Sequence, residues 1–255
     1  MKNYSEYPDF IARFYDIIYE KVRTGVDNDF FVNKASRCKG KILELGVGTG
    51  RLYLDALKKG ADIYGIDVSP SMIKVLHQKM NPAERYRVWV QDAVRLETDM
   101  RFDLIIAPFR MFSHVIEIED QLMLLNRVEE HLNPGGQFIF DLFIPNLRLL
   151  QEGINQFRDF EGEYEKGKKL HRIVSAKSDL LHQITHVEMT LGWDEGGEEV
   201  TKTWHFNMRF FFRYEIEHLI HRSNLELIKI FGDYSEGELG PDSNDFIVLC
   251  GKGTT

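Results

Sequence analysis

The sequence predicts an α/β protein built on a doubly wound, mostly parallel sheet with an antiparallel β insert. Three observations carry that reading. From residue 41 onward, short apolar runs alternate with helical patterns, each joined to the next by polar or Gly/Pro punctuation. The first of those runs ends in glycines at alternate positions, Gly46, Gly48 and Gly50, directly before a helical pattern. After Asn146 the alternation stops, and β-branched and aromatic stretches separated by polar turns continue to Phe212.

Ahead of the sheet, Phe10, Phe14, Ile17, Ile18 and Val22 recur at helical spacing, and a second helix is expected at 27–36 before the Lys39-Gly40 turn. Strands are expected at 41–45, 62–66, 85–90, 102–107 and 137–142, with helices at 50–59, 70–80 and 118–131 between them. Ser69 suits the N-cap and Pro70 the first position of the middle helix. The third helix carries Ile118, Leu122, Leu125, Val128 and Leu132 on one face and stops at Asn133-Pro134-Gly135-Gly136. In the insert, 169–178, 181–193 and 198–212 read as strands, with turns at 177–179 and 194–197. Trp204, Phe206, Met208, Phe210 and Phe212 alternate with polar neighbours such as His205 and Asn207, so the aromatic set is expected to pack inward. A helix at 214–223, a strand at 225–231, a Gly-rich turn near 237–240 and a strand at 245–250 follow.

The 255 residues are 43% apolar and 28% charged, enough to bury a real core. With 32 basic against 40 acidic side chains the net charge is −8, and no basic stripe offsets it, so neither nucleic acid nor a membrane is an expected partner. Residues 1–10 mix Lys2, Glu6 and Asp9 with aromatics and do not read as a signal peptide, and no apolar run reaches membrane-spanning length. Cys38 and Cys250 lie outside any CxxC spacing and read as reduced thiols of a cytoplasmic protein. His171, His182, His186 and His205 lack the spacing of a zinc motif, so no metal is expected.

The strongest chemical signal is the run from Lys41 to Gly50, an apolar strand entering a glycine turn and then a helix. A dinucleotide loop would want its third glycine at position 51, which is Arg51. Glu44, two residues before the first glycine, faces an ammonium better than a phosphate, which points to a cofactor bearing an amino acid. Asp67 ends the next strand 17 residues after Gly50, placed to accept from both ribose hydroxyls. Asp92 closes the third strand, where it either accepts from an exocyclic amine or stands as a solvated loop acid.

The ordered segments ELGVGTG, GIDVSPSMI, QDAV, FDLIIAPF and HLNPGGQFIFDLF resemble the class I S-adenosylmethionine-dependent methyltransferases over residues 41–143. The resemblance implies a seven-stranded Rossmann-like sheet whose last strand is reversed. Residues 11–16 resemble the lid helix of a bacterial small-molecule subgroup that includes amino-sugar N-methyltransferases, in which antiparallel strands build part of the acceptor pocket. It implies that S-adenosyl-L-methionine is held by Glu44, Gly46, Gly48 and Gly50 at the methionine end, Asp67 and Val68 at the ribose, and Asp92 and Ala93 at the adenine. Ala107 and Pro108 would meet the ammonium, and Met72 would cover the adenine ring or simply fill the core.

Catalysis is expected to need alignment more than covalent help, because a sulfonium methyl is already activated. His114, after the fourth strand, reads as a general base or as a cap of the following helix, and Tyr15 as a substrate-facing ring or a packing residue. Arg110 reads as an anion clamp or a surface cation. The expectation is direct in-line methyl transfer to nitrogen or oxygen of a small-molecule acceptor, by a monomer or homodimer. The rival readings are an NAD(P)-dependent oxidoreductase and a non-catalytic cofactor-binding module. Residues 1–145 would carry lid helices and cofactor core, 146–213 an acceptor lid or dimer element, and 214–255 the end of the core.

Overall fold

The computed structural model describes residues 6–23 and 25–253. The reading of residues 1–10 as no signal peptide therefore lies partly outside the described residues. Two helices, α1 (Asp9–Val22) and α2 (Val26–Arg37), precede β1 (Ile42–Leu45), α3 (Arg51–Lys58), β2 (Ile63–Asp67), α4 (Pro70–Lys79), β3 (Val88–Val90), β4 (Phe102–Ala107), α5 (Ile118–His131) and β5 (Leu132–Phe143). The sheet is completed after the insert by α7 (Arg213–His221), β10 (Leu225–Phe231) and β11 (Asp245–Lys252), in the order β10-β11-β5-β4-β1-β2-β3. Only β11 runs against its neighbours. Among the described residues no helix is long and apolar enough to cross a membrane.

Period-2 alternation builds two cores from the same strands. Ile42, Leu104, Ile106, Ile139 and Ile247 pack with α2, α3 and α4, while Leu43, Ile105, Phe138, Phe140 and Val248 pack with α5 and α7. Both sheet faces are therefore covered, the condition under which parallel strands are stable. The third strand is shorter than expected, because Pro82–Arg87 wind into a 3-10 turn capped by the Asn81 side chain and pairing starts only at Val88. Strand β5 begins earlier than expected and absorbs Asn133–Gly136 as an irregularity against β4.

The insert holds α6 (Leu147–Glu152) and a four-stranded antiparallel meander, β6 (Ile154–Glu165), β7 (Lys168–Asp179), β8 (Ile184–Glu195) and β9 (Glu198–Arg209). Strand β6 escaped the sequence reading because its residues are mostly polar or charged and Phe160 alone is buried. Residues 177–179 belong to β7, and the turn falls at 180–183. The apolar face is confirmed at Trp204 but breaks after Arg209: Phe211, placed on the polar side by alternation, is 1% exposed, whereas Phe212 is 43% exposed at the N-cap of α7. That face does not pack on the main sheet. Leu170, Leu191, Trp193 and Trp204 form a third core with Ile11, Phe14 and Ile18 of α1, so the insert backs the first helix. A bidentate pair from Arg172 on β7 to Asp159 on β6, at 2.8 and 2.6 Å, lies under Tyr19 of α1 with the guanidinium 5.0 Å from its ring.

Candidate active site

Open α/β sheets bind ligands beyond the carboxyl ends of their strands. There, at the ends of β1 to β4, a cavity encloses about 850 Å³ of empty space counting its mouth. Tyr15, Gly46, Gly48, Asp67, Val68, Met72, Asp92, Ala93, Pro108 and His114 line it, all singled out in the sequence.

The glycine loop divides its labour. Gly48 has φ +56° and no atom within 4 Å of where a Cβ would stand, so a ligand can approach its backbone. Gly50 has φ +86° and a Cβ there would meet Leu76 Cδ1 at 2.3 Å, so its bare backbone serves the packing of α3 on α4. Gly50 accordingly does not line the cavity, and neither do Glu44 and Ala107. Ala107 is fully buried in the sheet. Glu44 is 1% exposed with Oε2 unpartnered among the described residues, and burial holds its carboxyl well above the usual range, with Arg51 opposing.

Asp67 is held by the loop it faces. Its Oδ2 accepts from Gly48 N at 2.9 Å and its Oδ1 from Ser69 N at 2.8 Å, so the carboxylate is oriented before any ligand arrives. Burial nonetheless lifts it to about 6, with those two amides opposing. Asp92 caps its own 3-10 turn through Val94 N at 2.9 Å and is also raised by burial. Met72 lines the cavity and also packs into the third core.

After β4 the chain makes a strained turn: Phe109 and Arg110 stand at φ 60° and 63°. Left-handed backbone costs a side-chain-bearing residue about 1–2 kcal/mol. Arg110 is neither anion clamp nor free cation; its guanidinium pairs with Asp245 at 2.7 Å and its N–H donates to Asp141 Oδ1 at 3.2 Å. Beyond the turn, burial pushes His114 down to about 4, and its Nδ1 has no partner among the described residues, so the ring is neutral at neutral pH. It neither caps a helix nor shares a carboxylate.

Helix α1 closes over this loop. Asp16 accepts from Thr49 Oγ1 at 2.6 Å and pairs with Lys79, which also donates to Thr49 O at 2.8 Å. Ser69 Oγ donates to the Tyr7 carbonyl at 2.9 Å, and Ser71 to Asp9. Tyr7 and Tyr15 thus reach the cavity, 6.0 Å apart, with Tyr19 stacked on Tyr15 at 4.2 Å. Tyr7, Gln91 and Val115 were missed in the sequence: Tyr7 precedes the helical pattern, and Gln91 and Val115 sit beside motif residues without a charge of their own. Nearby, Arg23 and Arg51 share one oxygen of Asp27 at 3.2 and 3.3 Å, two cations against one carboxylate. The polar face of the insert does not meet the cavity; His205 lies near Glu188, His186 bonds Asn207, and Arg209 donates to Ile116 O. Among the described residues no three His, Cys, Asp or Glu converge on a metal position.

The order of strands and the reversed β11 match the sheet that the resemblance implies, with a glycine loop bridged to an acid at the end of β2 and a second acid after β3 at the cavity. Residues 42–136 match the family model described as a methyltransferase domain. An uncharacterized methyltransferase of Bacillus cereus is 29% identical over 125 residues, 49% of this chain and 57% of that relative, so the chain matches little more than half the length of its curated relatives. In fold, the CcbJ methyltransferase of Streptomyces caelestis superposes with TM-score 0.78 at 20% identity, covering 99% of this chain and all of the other. The amino pentose methyltransferase CalS10 of Micromonospora echinaspora, solved with its cofactor, gives 0.68 at 15% identity over 93% and 96% of the two chains. Residues 42–136 are thus similar to a methyltransferase domain, and the whole chain shares the fold of S-adenosylmethionine-dependent methyltransferases.

Proposed function

We propose that the protein moves a methyl group in-line from S-adenosyl-L-methionine to a nitrogen of a small-molecule acceptor. The observation that carries the cofactor half is Asp67, oriented by the Gly48 and Ser69 amides at the wall of a cavity that opens in front of Gly48. A carboxylate so held takes two ribose hydroxyls, and the bare Gly48 backbone leaves room beside it. Val68, Asp92, Ala93 and Met72 would surround the base, and Gly46 and Pro108 the amino-acid end. The surplus positive charge of Arg23 and Arg51 over Asp27 suits the cofactor's carboxylate. When bound, the sulfonium supplies an already activated methyl. The protein's part is to align and to keep water out: α1 covers the loop, and Tyr15 and Phe109 offer aromatic faces to positive charge.

Nitrogen is favoured over oxygen by His114. A neutral imidazole held near 4 is too weak a base to deprotonate a hydroxyl, but it accepts a hydrogen bond from an amine N–H and so aims the lone pair. The similarity to an amino pentose methyltransferase supports the same reading. In this scheme 1–145 and 214–255 hold the cofactor, and 146–213 backs the lid beside the acceptor. The molecule acts in the cytoplasm as a monomer or homodimer, without nucleic acid or membrane.

Calorimetry with S-adenosylmethionine, S-adenosylhomocysteine and NAD(P) tests the cofactor. Binding of the first two alone supports the proposal; binding of NAD(P) sinks it. A labelled-methyl screen of paired amines and alcohols then tests the acceptor. Turnover of alcohols in preference to the matching amines would overturn the choice of nitrogen.

A further inference from the structure

Asp141 does not line the cavity, and the proposed chemistry gives it no task. It is nevertheless fully buried at the end of β5 with both oxygens engaged. Its Oδ1 accepts from the main-chain N–H of Arg110 at 3.2 Å and its Oδ2 from the Tyr234 hydroxyl at 2.8 Å. Arg110 is the second residue of the left-handed turn, and its side chain is tied to Asp245 on β11. Arg51 lies 3.8 Å over the ring of Phe109, the first. Tyr234 is itself wedged against Phe30 and Phe31 at 5.8 and 6.5 Å. Two consecutive side-chain-bearing residues keep positive φ only where their surroundings over-determine it. The reason such an arrangement matters lies just downstream, because Phe109, Met111 and His114 of this segment all line the cavity.

We infer that Asp141 is a positioning residue of the methyl-transfer site. It holds the Arg110 N–H, shares the load with Tyr234, and through the turn sets where Phe109, Met111 and His114 stand. Its relevance to methyl transfer rests on the reading above, whereas its control of the turn is testable without an acceptor.

The probe is His114, followed by NMR of ring-labelled histidine, its signal assigned with His114→Gln. In the native protein burial pushes it down to about 4, with no part played by Asp141. In Asp141→Ala the turn relaxes, water reaches the ring, and the midpoint rises by about one pH unit or more. Asp141→Asn still accepts from Arg110 N–H and presents its amide to the Tyr234 oxygen, so it restores the native midpoint. Tyr234→Phe, which leaves the carboxylate in place, gives an intermediate shift. A lower melting temperature in Asp141→Ala with an unmoved His114 midpoint would mark a merely structural carboxylate and overturn the inference. Should Asp141→Ala not fold, an unmoved midpoint in Tyr234→Phe overturns it. Failure of the native protein to bind S-adenosylhomocysteine would remove the methyltransferase reading and leave the titration result standing.

Discussion

Asp67 carries its charge at a cost, since burial lifts its carboxyl to about 6 even though two amides point at it. Ribose hydroxyls bind the ionised form better, so cofactor affinity should be level above pH 7 and fall as pH drops through 6, which calorimetry with S-adenosylhomocysteine across pH 5–8 would show. The sign for stability is opposite. The folded state holds this proton more tightly than the unfolded chain, so the contribution of Asp67 to the cofactor-free protein grows as pH falls from about 6 toward 3.8. Asp67→Ala should weaken binding by about 1–3 kcal/mol and flatten the pH profile; an unchanged profile would remove Asp67 from the site. The two neighbouring glycines separate function from packing. Gly48→Val places a side chain in open space, so it should abolish cofactor binding in a protein that remains folded by circular dichroism. Gly50→Ala drives a Cβ into Leu76 and should cost about 1–3 kcal/mol of stability, read as a lower melting temperature. Asp67 and Gly48 were legible because a strand, its turn and the next strand's end lie close in sequence. Asp141 was not, because its partners Arg110 and Tyr234 are 31 and 93 residues away.

At the scale of elements, α1 is fastened to the cofactor loop by polar contacts that bridge distant segments. Thr49 and Lys79 converge on Asp16, and Lys79 closes the triangle on the Thr49 carbonyl. Asp16 and Lys79 are partly exposed, and pairs of that kind contribute little to global stability, typically under about 1 kcal/mol. Their effect should fall on exchange. Asp16→Ala is expected to speed release of S-adenosylhomocysteine several-fold in stopped-flow displacement, with a melting temperature near that of the native protein; release at the native rate would show that α1 does not gate the site. The helix itself was legible from its apolar spacing, while Tyr15 reads from sequence as a substrate-facing ring or a packing residue. The contacts that fasten it were not, since nothing in the order of residues says that Asp16 meets Thr49 and Lys79.

In the whole molecule one helix, α1, packs between the cofactor loop of the main sheet and the insert's sheet. The parallel half could be read from sequence because each strand, turn and helix is a local unit whose period changes from 2 to 3.6 and back. The insert was legible as antiparallel strands, but not in what it packs against, because period-2 alternation separates two faces without naming a partner. Its apolar face meets α1: Trp193 is 3% exposed, with its ring 5.3 Å from Phe14 and 6.2 Å from Phe10. The lid is therefore held from both sides, by the cofactor loop below and the insert above, and the insert should influence the cofactor without touching it. Trp193→Ala tests this, because Trp193 does not line the cavity and its loss opens a gap only in the core shared by α1 and the insert. Loss of a buried Trp costs about 3–5 kcal/mol where the surroundings cannot collapse, and part of that cost should appear as a looser α1. Affinity for S-adenosylhomocysteine is expected to fall about tenfold, with faster amide hydrogen exchange across 9–22 and unchanged exchange in β4 and β5. Native affinity in a protein whose α1 has loosened would mean that the insert supports the helix for reasons unconnected with the cofactor, and its role would then be sought on its outer face.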